Sequence, residues 1–219
     1  LKLKDFFKIY AAILLAHVTA QTIASDFSFI FFTKLLIPLS VFLYNFYYNA
    51  DKVINILISS SIAFFILGNI LMMVNPEYDP CRFDTPMLAY SAAFMFLSVT
   101  AIWRTRINVS NILIASLFTA VNAILSYLYI LTSSEVINHT FYLFVATFLI
   151  LTFCTLIHSV ADQKKYFLFG GLASLSVSNH LLSFCNFREN LSFIVPVAML
   201  FYGIGLLGYM VGFLEPVQE

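Results

Sequence analysis

Val53–Val74 reads VINILISSSIAFFILGNILMMV, an unbroken uncharged run held between Asp51-Lys52 on one side and Glu77 on the other. A helix of that length in a soluble domain would carry charges on its outward face. Crossing the hydrocarbon core of a bilayer, roughly 30 Å thick, takes about 20 consecutive apolar residues as a helix. This stretch is long enough, and it lacks the polar residue at every second position that marks a barrel strand. It predicts a transmembrane helix.

The same pattern recurs along the chain. Runs of this kind occupy approximately Phe6–Ile23, Ser28–Tyr48, Val53–Val74, Pro86–Trp103, Ile107–Leu131, Phe141–Ala161, Tyr166–Cys185 and Phe193–Leu214. Apolar residues make up 61% of the sequence and charged ones only 10%, against roughly a quarter charged in a soluble domain. Asp5, Asp26, Asp51, Glu77, Asp79, Asp84, Glu135, Asp162, Glu189, Glu215 and Glu219 all fall between or at the ends of the runs. The connections are short. The expectation is an integral, multi-pass membrane protein: a single all-α domain over residues 1–219, built of eight transmembrane helices. Lys2, Lys4 and Lys8 precede an apolar stretch as in a signal peptide, but there is no convincing cleavage pattern and the first run is read as a retained helix.

Charge sets the orientation, because cytoplasmic connections collect Lys and Arg. Lys2, Lys4, Lys8, Lys52, Arg104, Arg106, Lys164 and Lys165 fall on the side of the two termini, and only Arg82 and Arg188 fall opposite. Both termini are therefore expected in the cytoplasm. Gly68-Asn69-Ile70-Leu71-Met72 and Ser178-Asn179-His180-Leu181-Leu182 occupy the third helix of each half, which hints at a parallel repeat of four helices, 1–104 and 105–219.

Depth follows from the rise of about 1.5 Å per residue. On that count His17, Lys34, Asn69 and Asn179 all lie about 8 or 9 Å below the face opposite the termini, and His180 adjoins Asn179. Lys34 is the one fully charged side chain placed in the hydrocarbon region. Its flexible stem would let it snorkel to the interface, or it faces a polar cavity, as intramembrane charges commonly do. Polar neighbours at the same depth favour the cavity. Each asparagine alone would read as an interhelical hydrogen bond. Gly170, Ser174 and Ser178, and likewise Gly205, Gly208 and Gly212, form small-residue faces for close helix packing. Pro38 and Pro196 mark kinks. Cys154 is a mid-helix filler, while Cys81 and Cys185 both lie at the face opposite the termini, where an oxidising compartment would permit a disulfide.

Several of these segments resemble the YhhN family of eight-helix membrane proteins, which includes the lysoplasmalogenases. Thr33-Lys34-Leu35-Leu36-Ile37-Pro38-Leu39 is similar to the family's helix-two signature, with Leu35 in place of its first proline. Phe65 through Leu71 resembles the helix-three Gly-Asp motif. Gly171 through Phe187 resembles the helix-seven Ser-Asp motif, and Tyr202 falls where the last helix carries a tyrosine. The shared layer and the resemblance together point to a lysolipid-type headgroup held by His17, Lys34, Asn69, Asn179, His180 and Tyr202, and no cofactor is expected. Asn69 and Asn179 stand where the family carries its expected catalytic aspartates, the fourth-helix histidine has no counterpart, and Gly205 replaces a Gln.

Vinyl-ether hydrolysis needs a proton delivered to carbon and a water deprotonated as it attacks, the work of an acid and a base with separated pKa values. Asparagine offers neither at a useful pKa. The chain is accordingly expected to be a non-hydrolytic relative that holds a lysolipid headgroup, or a membrane subunit with a protein partner in a larger complex. The alternative is a working hydrolase in which His17 or His180 supplies the acid–base group. Two histidines at one depth also meet the minimum for bis-histidine haem, and Lys34 with two prolines the minimum for a transporter; neither pattern is specific. Nothing in the sequence points to nucleic acid.

Overall fold

A computed structural model of the chain describes residues 2–23, 27–48, 51–74, 80–104, 106–107, 111–132, 139–159, 164–187 and 193–214. Within them lie eight helices: α1 (Leu3–Ile23), α2 (Phe27–Tyr48), α3 (Lys52–Val74), α4 (Pro80–Arg104), α5 (Ile112–Thr132), α6 (His139–Ile157), α7 (Lys164–Phe187) and α8 (Ile194–Phe213). Seven are long and apolar enough to cross a membrane, and α5 has a shorter apolar stretch, Ile112–Leu128. Large apolar side chains face outward, among them Phe32 at 65%, Ile56 at 65% and Leu113 at 78% exposure. On a soluble protein such a surface would be an aggregation hazard; against lipid tails it is the favoured one. The protein is an integral multi-pass membrane protein.

Local chemistry sets the helix ends. Asp51 caps α3, its carboxylate accepting from the backbone N–H of Val53 at 2.9 Å and of Ile54 at 3.1 Å. Pro196 sits in the first turn of α8, where a missing N–H costs nothing. α4 starts at Pro80, earlier than its apolar run, and takes Pro86 inside it. α5 starts at Ile112, later than its run, because Arg106–Ile107 (β1) pairs antiparallel with His158–Ser159 (β2). That two-residue ladder joins the α4–α5 and α6–α7 connections and has no apolar periodicity to announce it.

Contacts between neighbours give an up-and-down arrangement: His17 meets Thr33, Asn45 meets Asn55, and Gly68 meets Tyr90. Six helices close a ring in which α2 packs on α3, α3 on α4, α4 on α6, α6 on α7, α7 on α8, and α8 on α2. α1 lies outside against α2 and α8, and α5 lies outside against α6 and α7. The tightest seam is α7–α8. A Cβ added to Gly208 would sit 2.9 Å from the Gly171 Cα, and one added to Gly171 would sit 2.7 Å from the Tyr209 backbone nitrogen. The small-residue face of α8 is thus used as expected. On α7 the contact runs through Gly171, flanked by Leu168 and Leu175, whereas Gly170 borders open space.

Candidate functional site

The ring encloses a cavity of about 190 Å³, far more than the roughly 15 Å³ a single water needs on a comparable measure. It lies toward the end of the bundle away from the ladder, where α3 and α7 finish and α2, α4, α6 and α8 begin. Residues three or four apart share a helix face, and that spacing lines the cavity: Asn69 and Met72 on α3, Met87, Tyr90 and Phe94 on α4, Leu175, Asn179 and Leu182 on α7, Val195, Met199 and Tyr202 on α8. Lys34 from α2, Phe65 from α3, Phe141 and Phe144 from α6, and Ser183 from α7 also line it.

A hydrogen-bonded chain fixes one side. The Tyr90 hydroxyl donates to Asn69 Oδ1 at 2.9 Å, and Asn69 Nδ2 donates to the Tyr202 hydroxyl oxygen at 3.1 Å. Tyr202 thereby accepts, and its own proton is left for the cavity. Edge-on contact with Phe65, ring centroids 5.8 Å apart, holds the Tyr202 ring in place. Gly68 makes room for Tyr90, since a Cβ there would sit 2.8 Å from its ring.

Lys34 has no ion-pair partner among the described residues, where the one salt bridge is Lys8–Asp5. Pro38 stands one turn on from it; lacking an N–H, it deprives the Lys34 carbonyl of its α-helical partner. The Asn179 amide nitrogen is buried with no hydrogen-bond partner, so this side chain keeps bonding capacity that a ligand would use.

Of the six candidate ligand residues read from the sequence, Lys34, Asn69, Asn179 and Tyr202 line this one cavity. His17 and His180 lie outside its lining. His17 is fully buried, with Nδ1 2.9 Å from the Thr33 hydroxyl and Nε2 without a partner. His180 Nε2 lies 2.9 Å from Asn122 Oδ1, which also accepts from the Ser176 hydroxyl. The two imidazoles thus face different neighbours on opposite flanks of the ring and do not converge on one ligand. Shared depth had grouped them, but depth fixes only one coordinate of a helical residue.

Two residues escaped the sequence reading. Tyr90 sits near an expected membrane interface, where tyrosine is ordinary, and nothing marked it. Asn122 did carry a signal, an amide in mid-helix where polar groups find interhelical partners. Cys154 is a buried free thiol; the side chains of Cys81 and Cys185 lie outside the described residues. No cluster of His, Cys, Asp and Glu suited to a metal occurs among the described residues.

The arrangement is rich in donors and poor in acceptors. It offers an ammonium, a phenolic proton, an amide and the Ser183 hydroxyl, with no carboxylate on the wall among the described residues. Such a set complements an anion, while the phenyl, thioether and isobutyl groups around it complement hydrocarbon. Compared with protein-family models, with curated proteins and with solved structures, the chain matches none.

Proposed function

We propose that this protein is a non-hydrolytic, diverged relative of the YhhN family that holds the anionic headgroup of a single-chain lipid in the six-helix cavity. The observation behind the reading is the Lys34 ammonium, without an ion-pair partner among the described residues, on a wall that also carries Asn69, Asn179 and Tyr202. An ammonium within the membrane is costly without a counter-charge, and a lipid phosphate supplies it. The apolar side chains beside it take the first methylenes of the chain.

Hydrolysis has less support. Among the described residues the cavity wall has no carboxylate, and neither His17 nor His180 borders it, so the described side chains there supply no acid–base pair for vinyl-ether cleavage. The amide positions keep the hydrogen-bond geometry of a binding site and drop its proton transfers.

Native mass spectrometry in mild detergent tests the reading. The parent protein is expected to retain lysophosphatidate in preference to monoacylglycerol of the same chain length. Lys34→Met should weaken that retention at least tenfold, about 1.4 kcal/mol, and Lys34→Arg should keep part of it. Equal retention of the neutral lipid, or indifference to Lys34→Met, would overturn the proposal. A stoichiometric protein partner in the spectrum would point instead to a membrane subunit.

A further inference from the structure

The ring around the cavity is not equally tight at every seam. α3–α4, α4–α6 and α7–α8 pack extensively, whereas α6–α7 and α2–α8 meet along short stretches. Each short seam is covered from outside by one helix, α2–α8 by α1 and α6–α7 by α5. A lipid whose headgroup sits in the cavity needs a way out for its hydrocarbon chain, and 190 Å³ is too little for all of it.

The two covers are held differently. The Tyr10 hydroxyl of α1 donates to the Gly203 carbonyl at 2.8 Å, His17 bonds Thr33, and the Phe6 ring stacks on Tyr44 with centroids 4.0 Å apart. Among the described residues, α5 is held on α7 by a polar knot in which Asn122 Oδ1 accepts from Ser176 and from His180. One turn earlier on α5, the Thr119 hydroxyl is buried without a partner. Much of the remaining surface of α5 faces outward, with Leu117 at 67% and Ile124 at 59% exposure. Apolar contact between helices gains little over contact with lipid tails, so the knot dominates what keeps α5 in place.

The knot also lies directly behind the cavity wall. Leu175 and Asn179 line the cavity, and Ser176 and His180, each one residue on and so about 100° around the helix, face α5. Resting on the headgroup reading above, we infer that the hydrocarbon chain of the bound anionic lipid leaves the cavity sideways between α6 and α7, and that α5 is the helix displaced to admit it. Asn122 is the latch.

A disulfide across the knot tests this. Asn122→Cys is paired with Ser176→Cys in a chain with Cys81, Cys154 and Cys185 replaced by alanine, and the same sample is compared oxidised and reduced. Uptake of a fluorescent lysophosphatidate is timed, and binding of soluble glycerol phosphate is measured alongside. Oxidation is expected to slow lipid uptake at least tenfold and leave glycerol phosphate binding unchanged. Asn122→Ala, which unties the knot without a cross-link, should speed uptake several-fold.

Equal uptake before and after oxidation overturns the inference. So does slowing by a Leu14→Cys, Gly203→Cys cross-link between α1 and α8 instead, which moves the portal to the other seam. A parent protein that binds glycerol phosphate but no lipid overturns it as well. A parent that binds neither removes the headgroup reading itself, a failure distinct from one seen only in the locked protein.

Discussion

At the scale of single residues, the site depends on a glycine as much as on its polar groups. Gly68→Ala would place a methyl 2.8 Å from the Tyr90 ring, and the ring cannot shift without loosening its bond to Asn69 and, through it, Tyr202. We expect weaker lysophosphatidate binding and a melting temperature lowered by an overpacking cost of about 1–3 kcal/mol; Tyr90→Phe should cost less than Gly68→Ala in stability. Asn69→Asp with Asn179→Asp puts like charge opposite a bound phosphate. That arrangement costs several kcal/mol, so anionic lipid should be lost from the native mass spectrum. The same double variant should gain vinyl-ether hydrolysis if the family resemblance is sound. Lys34, Asn69 and Asn179 were legible because each interrupts an apolar pattern at a countable depth, whereas Tyr202 entered only through the family resemblance. His17 and His180 shared that depth, but their direction around the helix depends on which neighbours pack there. Sequence periodicity is mute on that point in a membrane, where the outward face is as apolar as the inward one.

Among the elements, α7 and α8 make the sharpest case. Gly208→Ala brings a methyl against the Gly171 Cα and the Phe167 carbonyl, both 2.9 Å away, and backbone cannot rotate aside. It should destabilise the protein by about 1–3 kcal/mol, read as a fall in detergent melting temperature. Gly170→Ala meets nothing within 4 Å and should be neutral or stabilising by up to about 1 kcal/mol from helix propensity. Gly170 on α7 and Gly208 on α8 look alike in the sequence; only the register of one helix on the other tells them apart. Asp51→Ala removes the cap of α3 at a cost of about 1 kcal/mol. The helices themselves were plain in the sequence, since an uncharged run of spanning length has few other uses. Their starts were less so, because α4 tolerates Pro86 and the strand pair displaces the start of α5.

Over the whole molecule, an even number of crossings follows if α5 spans with the seven longer helices. Reporter fusions to the two ends should then both read cytoplasmic, whereas one end outside would mean that α5 does not cross. The ring treats the two halves alike: α2–α3–α4 and α6–α7–α8 each supply three consecutive staves, and the middle stave of each brings an asparagine to the cavity. The strand pair breaks that evenness. It fastens Arg106–Ile107, just before α5, to His158–Ser159, just after α6, and so pins both ends of the α5–α6 hairpin at a common root. A helix tethered at its foot does not slide out of a bundle; it tilts. The least travel falls at the ladder and the most at the far tip, on the level where the cavity lies, so α5 swings like a door whose hinge is four residues of backbone.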